Sequence, residues 1–114
     1  MDIKHYEQVE AKPAEMDEAS GVKVRWLISE KEGAPNFAMR LFEVEAGGFS
    51  PLHTHNWEHE VFILEGEGIA TDGVQEIPLR SGSVIYVAPE EKHQFRNIGD
   101  STLKFLCLIP IKKV

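Results

Sequence analysis

Four of the five histidines in this 114-residue chain fall in two places, the string HTHNWEHE at residues 53–60 and the string KHQF around His93. Imidazole nitrogen suits Zn, Cu, Fe and Ni, and three or four rings converging on one point make a stable site for a divalent ion. The spacing has a geometric meaning. On a strand, His53 and His55 are two residues apart, so their rings leave the same face. His59 follows after a gap long enough for a short turn to fold it back toward the pair. His93 comes from a separate strand well downstream and can lie opposite. A lone H-x-H pair is a cheap motif; the set of four carries the expectation. Other catalytic signatures are missing: the chain has no G-x-S-x-G elbow, no phosphate-binding P-loop and no H-E-x-x-H.

Positioning those rings falls to strands. From Val22 onward the chain is a succession of short runs: VKVRWLIS, FAMRLFEVE, FSPLHTH, EVFILEG, GIATDG, VQEIPLR, SVIYVAP, HQFRNI and TLKFLCLI. Between them stand GAPN, AGG, GEG, DG, SG and GD, all good turn formers. In LKFLCLI, Lys104 faces water and turns Leu103, Phe105, Cys107 and Ile109 to the opposite side. Gly66-Glu67-Gly68 reads as a hairpin turn. No segment keeps a helical period over three turns. Many short strands with turn signals about every ten residues predict an all-β antiparallel sandwich or barrel. Residues 1–21 read as an N-terminal arm with a short strand around Ile3 to Val9, and residues 22–114 as a single barrel domain. His5, in the arm, is expected to be unrelated to the other four.

Composition narrows the class. The chain is 42% hydrophobic and 27% charged, which suits one globular domain. A formal net charge of −7, with only Lys112 and Lys113 as a short basic end, argues against a nucleic-acid partner. An apolar run able to span a bilayer and a signal-peptide core are both missing, so no membrane partner is expected and the cytoplasm is the expected location. Cys107 is the single cysteine, which excludes an intrachain disulfide and a Cys-rich zinc site.

The segment GGFSPLHTHNWEHEVFILEGEG, residues 47–68, resembles the first motif of the cupins, G-x5-H-x-H-x3-4-E-x6-G. Gly47, His53, His55 and Gly66 fall in register. The segment GSVIYVAPEEKHQFRN, residues 82–97, resembles the second, G-x5-P-x-G-x2-H-x3-N, through Gly82, His93 and Asn97. Ala88 stands where proline is usual and Glu90 where glycine is usual. At the position of the usual carboxylate ligand stands His59, which satisfies both counts in the first motif. Glu60 is the alternative metal ligand and satisfies only the looser count. The two cannot both point inward, because neighbours on a strand face opposite sides. The resemblance therefore implies a jelly-roll (double-stranded β-helix) barrel of the small, single-domain, four-histidine type. His53, His55, His59 and His93 would hold one divalent transition metal, Mn, Fe, Ni, Cu or Zn. Glu58 and Glu60 would become outward groups or partners that orient an imidazole. Small cupins commonly form homodimers by exchanging N-terminal strands, a role the arm could fill.

Four neutral imidazoles leave the full charge of the ion uncompensated, which favours an anionic or oxygen-chelating ligand. They should also release it as pH falls toward and below about 6. The possible pocket residues are Arg40, Trp57, Phe95, Asn97, Phe105 and Cys107. Arg40 could reach a carboxylate, Phe95 and Asn97 share the strand parity of His93, and the lining is largely apolar. No catalytic acid or base is nominated. The expected function is a metal-dependent oxidoreductase or dioxygenase acting on a small, fairly apolar organic substrate. The alternatives are a non-catalytic metal- or small-molecule-binding module, for sensing or storage, and a metal-free interaction domain.

Overall fold

The computed structural model describes residues 1–111, so Lys112 and Lys113 lie outside it. Nine strands follow one another: β1 (Lys12–Pro13), β2 (Ser20–Ile28), β3 (Phe37–Phe49), β4 (His59–Glu65), β5 (Gly68–Thr71), β6 (Glu76–Leu79), β7 (Val84–Val87), β8 (Gln94–Asn97) and β9 (Leu103–Pro110). All pairings are antiparallel, in the order β6-β5-β8-β3-β9-β4-β7, with β2 beside β3 and β1 beside β2. The sheet curls on itself into an all-β jelly-roll barrel. Gly66, at the turn between β4 and β5, has φ +93, and a Cβ there would sit 2.6 Å from the Thr102 carbonyl oxygen. Only glycine satisfies both demands.

Alternation puts the core on one face of each strand. Val44, Ile63 and Leu103 are completely buried, and each such side chain contributes roughly 1.5–3 kcal/mol by leaving water. The Phe42 and Phe105 rings stack with centroids 5.3 Å apart, and Phe95 packs on Phe105 at the same distance. On β9, Leu103, Phe105 and Cys107 are buried while Lys104 is half-buried, as the alternation in LKFLCLI requires.

Two expectations are corrected. Residues 3–9 form no strand; a single 3-10 turn, Tyr6–Gln8, stands there. The His5 side chain accepts from the Glu7 N–H and the Gln8 side chain accepts from the His5 N–H, so local capping wins over extension. His5 thereby has a structural role. The FSPLHTH run leaves strand geometry after Phe49. Pro51 has no N–H to give to a ladder, and among residues 50–58 only His53 makes a bridge, to His93.

The arm lies against its own barrel. Arg25 donates to the Val9 carbonyl at 2.6 Å, Lys104 donates to the Tyr6 hydroxyl at 3.4 Å, and Ala14, Met16 and Ala19 pack on the core.

Glu90 has a left-handed backbone, at φ 69, which is uncommon for a non-glycine residue. Its N–H donates to the His55 carbonyl at 2.7 Å, so the strained turn ties the 88–91 loop to the histidine loop. Relieving the strain should stabilise the protein: Glu90→Gly is expected to gain up to about 1 kcal/mol. Chemical denaturation would show this as a higher midpoint with an unchanged slope.

Candidate metal centre

The barrel brings the four histidines together from two regions. A pair of hydrogen bonds, His53 N–H to the His93 carbonyl and His93 N–H to the His53 carbonyl, sets these residues directly opposite each other. His55 stands on the loop that Glu90 holds, and His59 opens β4, paired with Val87 of β7. Ring centroids lie 5.1 Å apart for His53–His55, 4.8 Å for His53–His93, 4.9 Å for His55–His93, 4.6 Å for His55–His59 and 5.1 Å for His59–His93. His53, His55 and His93 each offer a nitrogen, all within 4.8 Å of one another, and could hold a metal ion. His59 falls outside that trio and joins it through His55, with the two Nε2 atoms 2.8 Å apart.

The donor chemistry fits an ion. A backbone carbonyl can only accept, so the Nδ1–H of His55 donates to the Trp57 carbonyl at 2.8 Å. The Nδ1–H of His93 likewise donates to the Glu91 carbonyl at 2.9 Å. Both rings therefore keep the lone pair on Nε2. Two metal–nitrogen bonds of about 2.05 Å at a right angle put their nitrogens about 2.9 Å apart, close to the His55–His59 separation. Among the described residues, no carboxylate orients these rings. That role, expected of Glu58 or Glu60, is filled by backbone carbonyls and by Cys107, whose Sγ lies 3.0 Å from His59 Nδ1.

The rings open into a cavity of about 400 Å³. Arg40, Trp57, Phe95, Phe105 and Cys107 all line it, and its lining holds no aspartate or glutamate. Trp57 stacks flat on His55, centroids 4.1 Å apart and planes 5° from parallel. Arg40 is drawn inside: its Nη2 donates to Cys107 Sγ at 3.1 Å and lies 3.4 Å from His59 Nδ1. Its guanidinium sits over the Phe42 ring at 4.8 Å. Its Nε is buried without a partner, and no carboxylate pairs with it among the described residues.

Asn97 does not reach the cavity. Four residues beyond His93 on an extended chain is about 13 Å, which carries it past the cavity floor. There it donates to the Val44 and Ser101 carbonyls and accepts from the Gly99 N–H, bracing the turn before β9. Glu60 points the other way from His59: it is exposed, opposite Tyr86 and Leu108 on the outer face of the sheet. Among the wall residues not anticipated, Phe42 and Val44 share the parity of Arg40 on β3 and were legible from alternation. Met16, reaching in from the arm, carried no local signal.

Burial is the largest influence on the protonation of His53, His55 and His59. It pushes His59 down to about 3, with Arg40 as the second cause, and it lowers His53 and His55 in the same direction. Burial also lowers Arg40 and raises the Cys107 thiol, which Arg40 partly offsets. Burial thus favours the neutral form of His53, His55 and His59, the form that ligates metal.

A small jelly-roll barrel with an imidazole cluster in an apolar cavity defines the class, and a cupin domain model matches residues 40–109. The chain belongs to the cupin family. It is 36% identical over 92 residues to an oxalate-binding protein of Thermotoga maritima, covering 77% of this chain and 74% of that protein. The structure of the polyketide cyclase RemF from Streptomyces resistomycificus matches with a TM-score of 0.93 at 31% identity, over 98% of this chain and 80% of that one. Ectoine synthase from P. lautus shares the fold at a TM-score of 0.76 and 23% identity, over 96% of this chain and 77% of that one. No helix among the described residues is long and apolar enough to cross a membrane.

Proposed function

We propose that this cupin holds one divalent transition metal through Nε2 of His53, His55, His59 and His93. We propose further that it is a metal-dependent enzyme, an oxidoreductase or dioxygenase, acting on a small and largely apolar organic substrate. The observation that carries this reading is the convergence of four imidazoles on one apolar cavity. Glu60, on the outer face, is set aside as the fourth ligand. A bound ion would supply Lewis-acid activation or oxygen redox chemistry.

The chain's own residues supply the rest. Phe42, Phe95 and Phe105 exclude water and cradle an apolar body, while Trp57 fixes the His55 ring. With no carboxylate in the cavity wall, the charges of the ion and of Arg40 favour a substrate carrying an anionic oxygen. The test is reconstitution with Mn, Fe, Ni, Cu and Zn in turn, followed by oxygen-uptake measurements on aromatic and aliphatic oxyacids. Turnover with iron or manganese that consumes dioxygen supports the reading. No activity above the free ions across the panel counts against it.

Two second readings have specific support. The likeness to a polyketide cyclase favours non-redox Lewis-acid chemistry, in which zinc would support turnover without oxygen. The likeness to an oxalate-binding protein favours a module that binds without reacting, for sensing or storage. In that case a small anion would bind tightly and be recovered unchanged. A homodimer in the cytoplasm completes the proposal. The outer faces of β4 and β7 leave Phe62, Leu64, Val84 and Tyr86 exposed, an apolar patch suited to a second copy, and the arm of residues 1–21 is the segment available for exchange. Sedimentation should give a dimer; a monomer would remove this part without touching the metal site.

A further inference from the structure

His59 differs from its neighbours in what its second nitrogen meets. His55 and His93 each donate Nδ1–H to a carbonyl oxygen, which leaves one tautomer available to them. At His59 the Nδ1 meets Cys107 Sγ at 3.0 Å and Arg40 Nη2 at 3.4 Å. The guanidinium can only donate, whereas a thiol both donates and accepts.

Consider the 2.8 Å contact between the Nε2 atoms of His55 and His59. In the metal-free protein this contact would be a hydrogen bond, and because His55 has its proton on Nδ1, the proton between the rings would belong to His59 Nε2. His59 Nδ1 then bears a lone pair, satisfied by the N–H of Arg40 and the S–H of Cys107. Ligation through His59 Nε2 demands the reverse: Nε2 gives its proton to water and Nδ1 takes one from water, so the ring stays neutral. Arg40 cannot receive that N–H. Among the groups bonded to this nitrogen, Cys107 sulfur alone can accept it.

We propose that Cys107 is the positioning residue that switches His59 into its metal-ligating tautomer, with Arg40 holding the opposite one. This rests on the four-histidine reading above. The thiol turns from donor to acceptor by rotating its S–H, while Arg40 Nη2 continues to donate to the sulfur at 3.1 Å. The side chains come from β3, β4 and β9, with Cys107 48 residues from His59 and 67 from Arg40, so only the closed barrel assembles them.

The experiment has two arms. Nitrogen-15 NMR of the wild-type imidazoles, before and after addition of Zn²⁺, reads the tautomer directly. His59 should carry its proton on Nε2 before addition and on Nδ1 after it; an Nδ1 proton in both states overturns the proposal. In the second arm, Zn²⁺ affinity is measured by chelator competition. Partners that orient a ligating histidine typically contribute 10–100-fold in metal affinity, so Cys107→Val should bind Zn²⁺ about 10–100-fold more weakly. Cys107→Ser, which can still accept, should restore most of that loss, and Arg40→Met should bind at least as tightly as wild type. A folded Cys107→Val protein with wild-type affinity, or a serine variant as weak as the valine one, overturns the proposal. Failure of the wild-type protein itself to take up Zn²⁺ at the histidines would instead remove the underlying metal-site reading.

Discussion

With His53 and His93 both replaced by alanine, the protein is expected to lose the proposed metal while keeping its fold. The two residues face each other across a backbone bridge whose hydrogen bonds involve no side chain, so alanine leaves the bridge intact. What disappears is two of four nitrogen donors. Losing a mere orienting partner of a ligand already costs about 10–100-fold in affinity, and losing two ligands outright should cost more than that. Thermal unfolding gives a second reading. An ion present at about a thousand times its dissociation constant stabilises the folded state by about 4 kcal/mol. For a chain of this length that raises the midpoint by roughly 10–20 °C. Wild-type protein should show this rise with zinc or manganese, and the double variant should show none. Equal metal content by elemental analysis in the two proteins would sink the proposed site.

Acid should remove the ion and then weaken the barrel, in a window set by the depressed imidazoles. A histidine whose protonation is opposed by burial binds fewer protons folded than unfolded. Stability therefore falls as pH drops below the ordinary value of 6.5, and the loss is complete only below the folded value, about 3 for His59. His53 and His55 are lowered in the same sense and add to the slope. Metal-free protein should lose on the order of a few kcal/mol between pH 7 and pH 3, measured by urea unfolding at each pH. His59→Gln should flatten that dependence. For the loaded protein, the same burial moves release below the pH of about 6 expected of unperturbed imidazoles. Metal content after dialysis should drop between pH 6.5 and pH 3, and full retention at pH 3 would exclude an imidazole shell.

The all-β architecture was legible because alternation and turn chemistry are local. LKFLCLI could bury Leu103, Phe105 and Cys107 only by exposing the residues between them, and the barrel does so. Where local order failed as a guide, a specific competitor won. Pro51 kept the FSPLHTH run out of the sheet, so His53 and His55 converge from a loop and not by strand parity. The His5 cap turned residues 6–8 into a 3-10 turn. For Asn97, parity was the right clue to burial and the wrong clue to the cavity, because parity says which face a side chain takes and not how far along the barrel it lies.

What the sequence by itself determined is which side chains the proposed site draws on. The intervals between Gly47, His53, His55, His59 and Gly66, and between Gly82 and His93, are properties of the chain itself. What only the tertiary structure decided is how those side chains are held and protonated. The carbonyls of Trp57 and Glu91, the sulfur of Cys107 and the guanidinium of Arg40 act on imidazole nitrogens through hydrogen bonds a few ångströms long. The sulfur and the guanidinium reach His59 from other strands, and that proximity exists only once β3, β4 and β9 have closed around a shared interior. Burial does the rest, since an imidazole keeps its neutral form here because the barrel has taken water away from it.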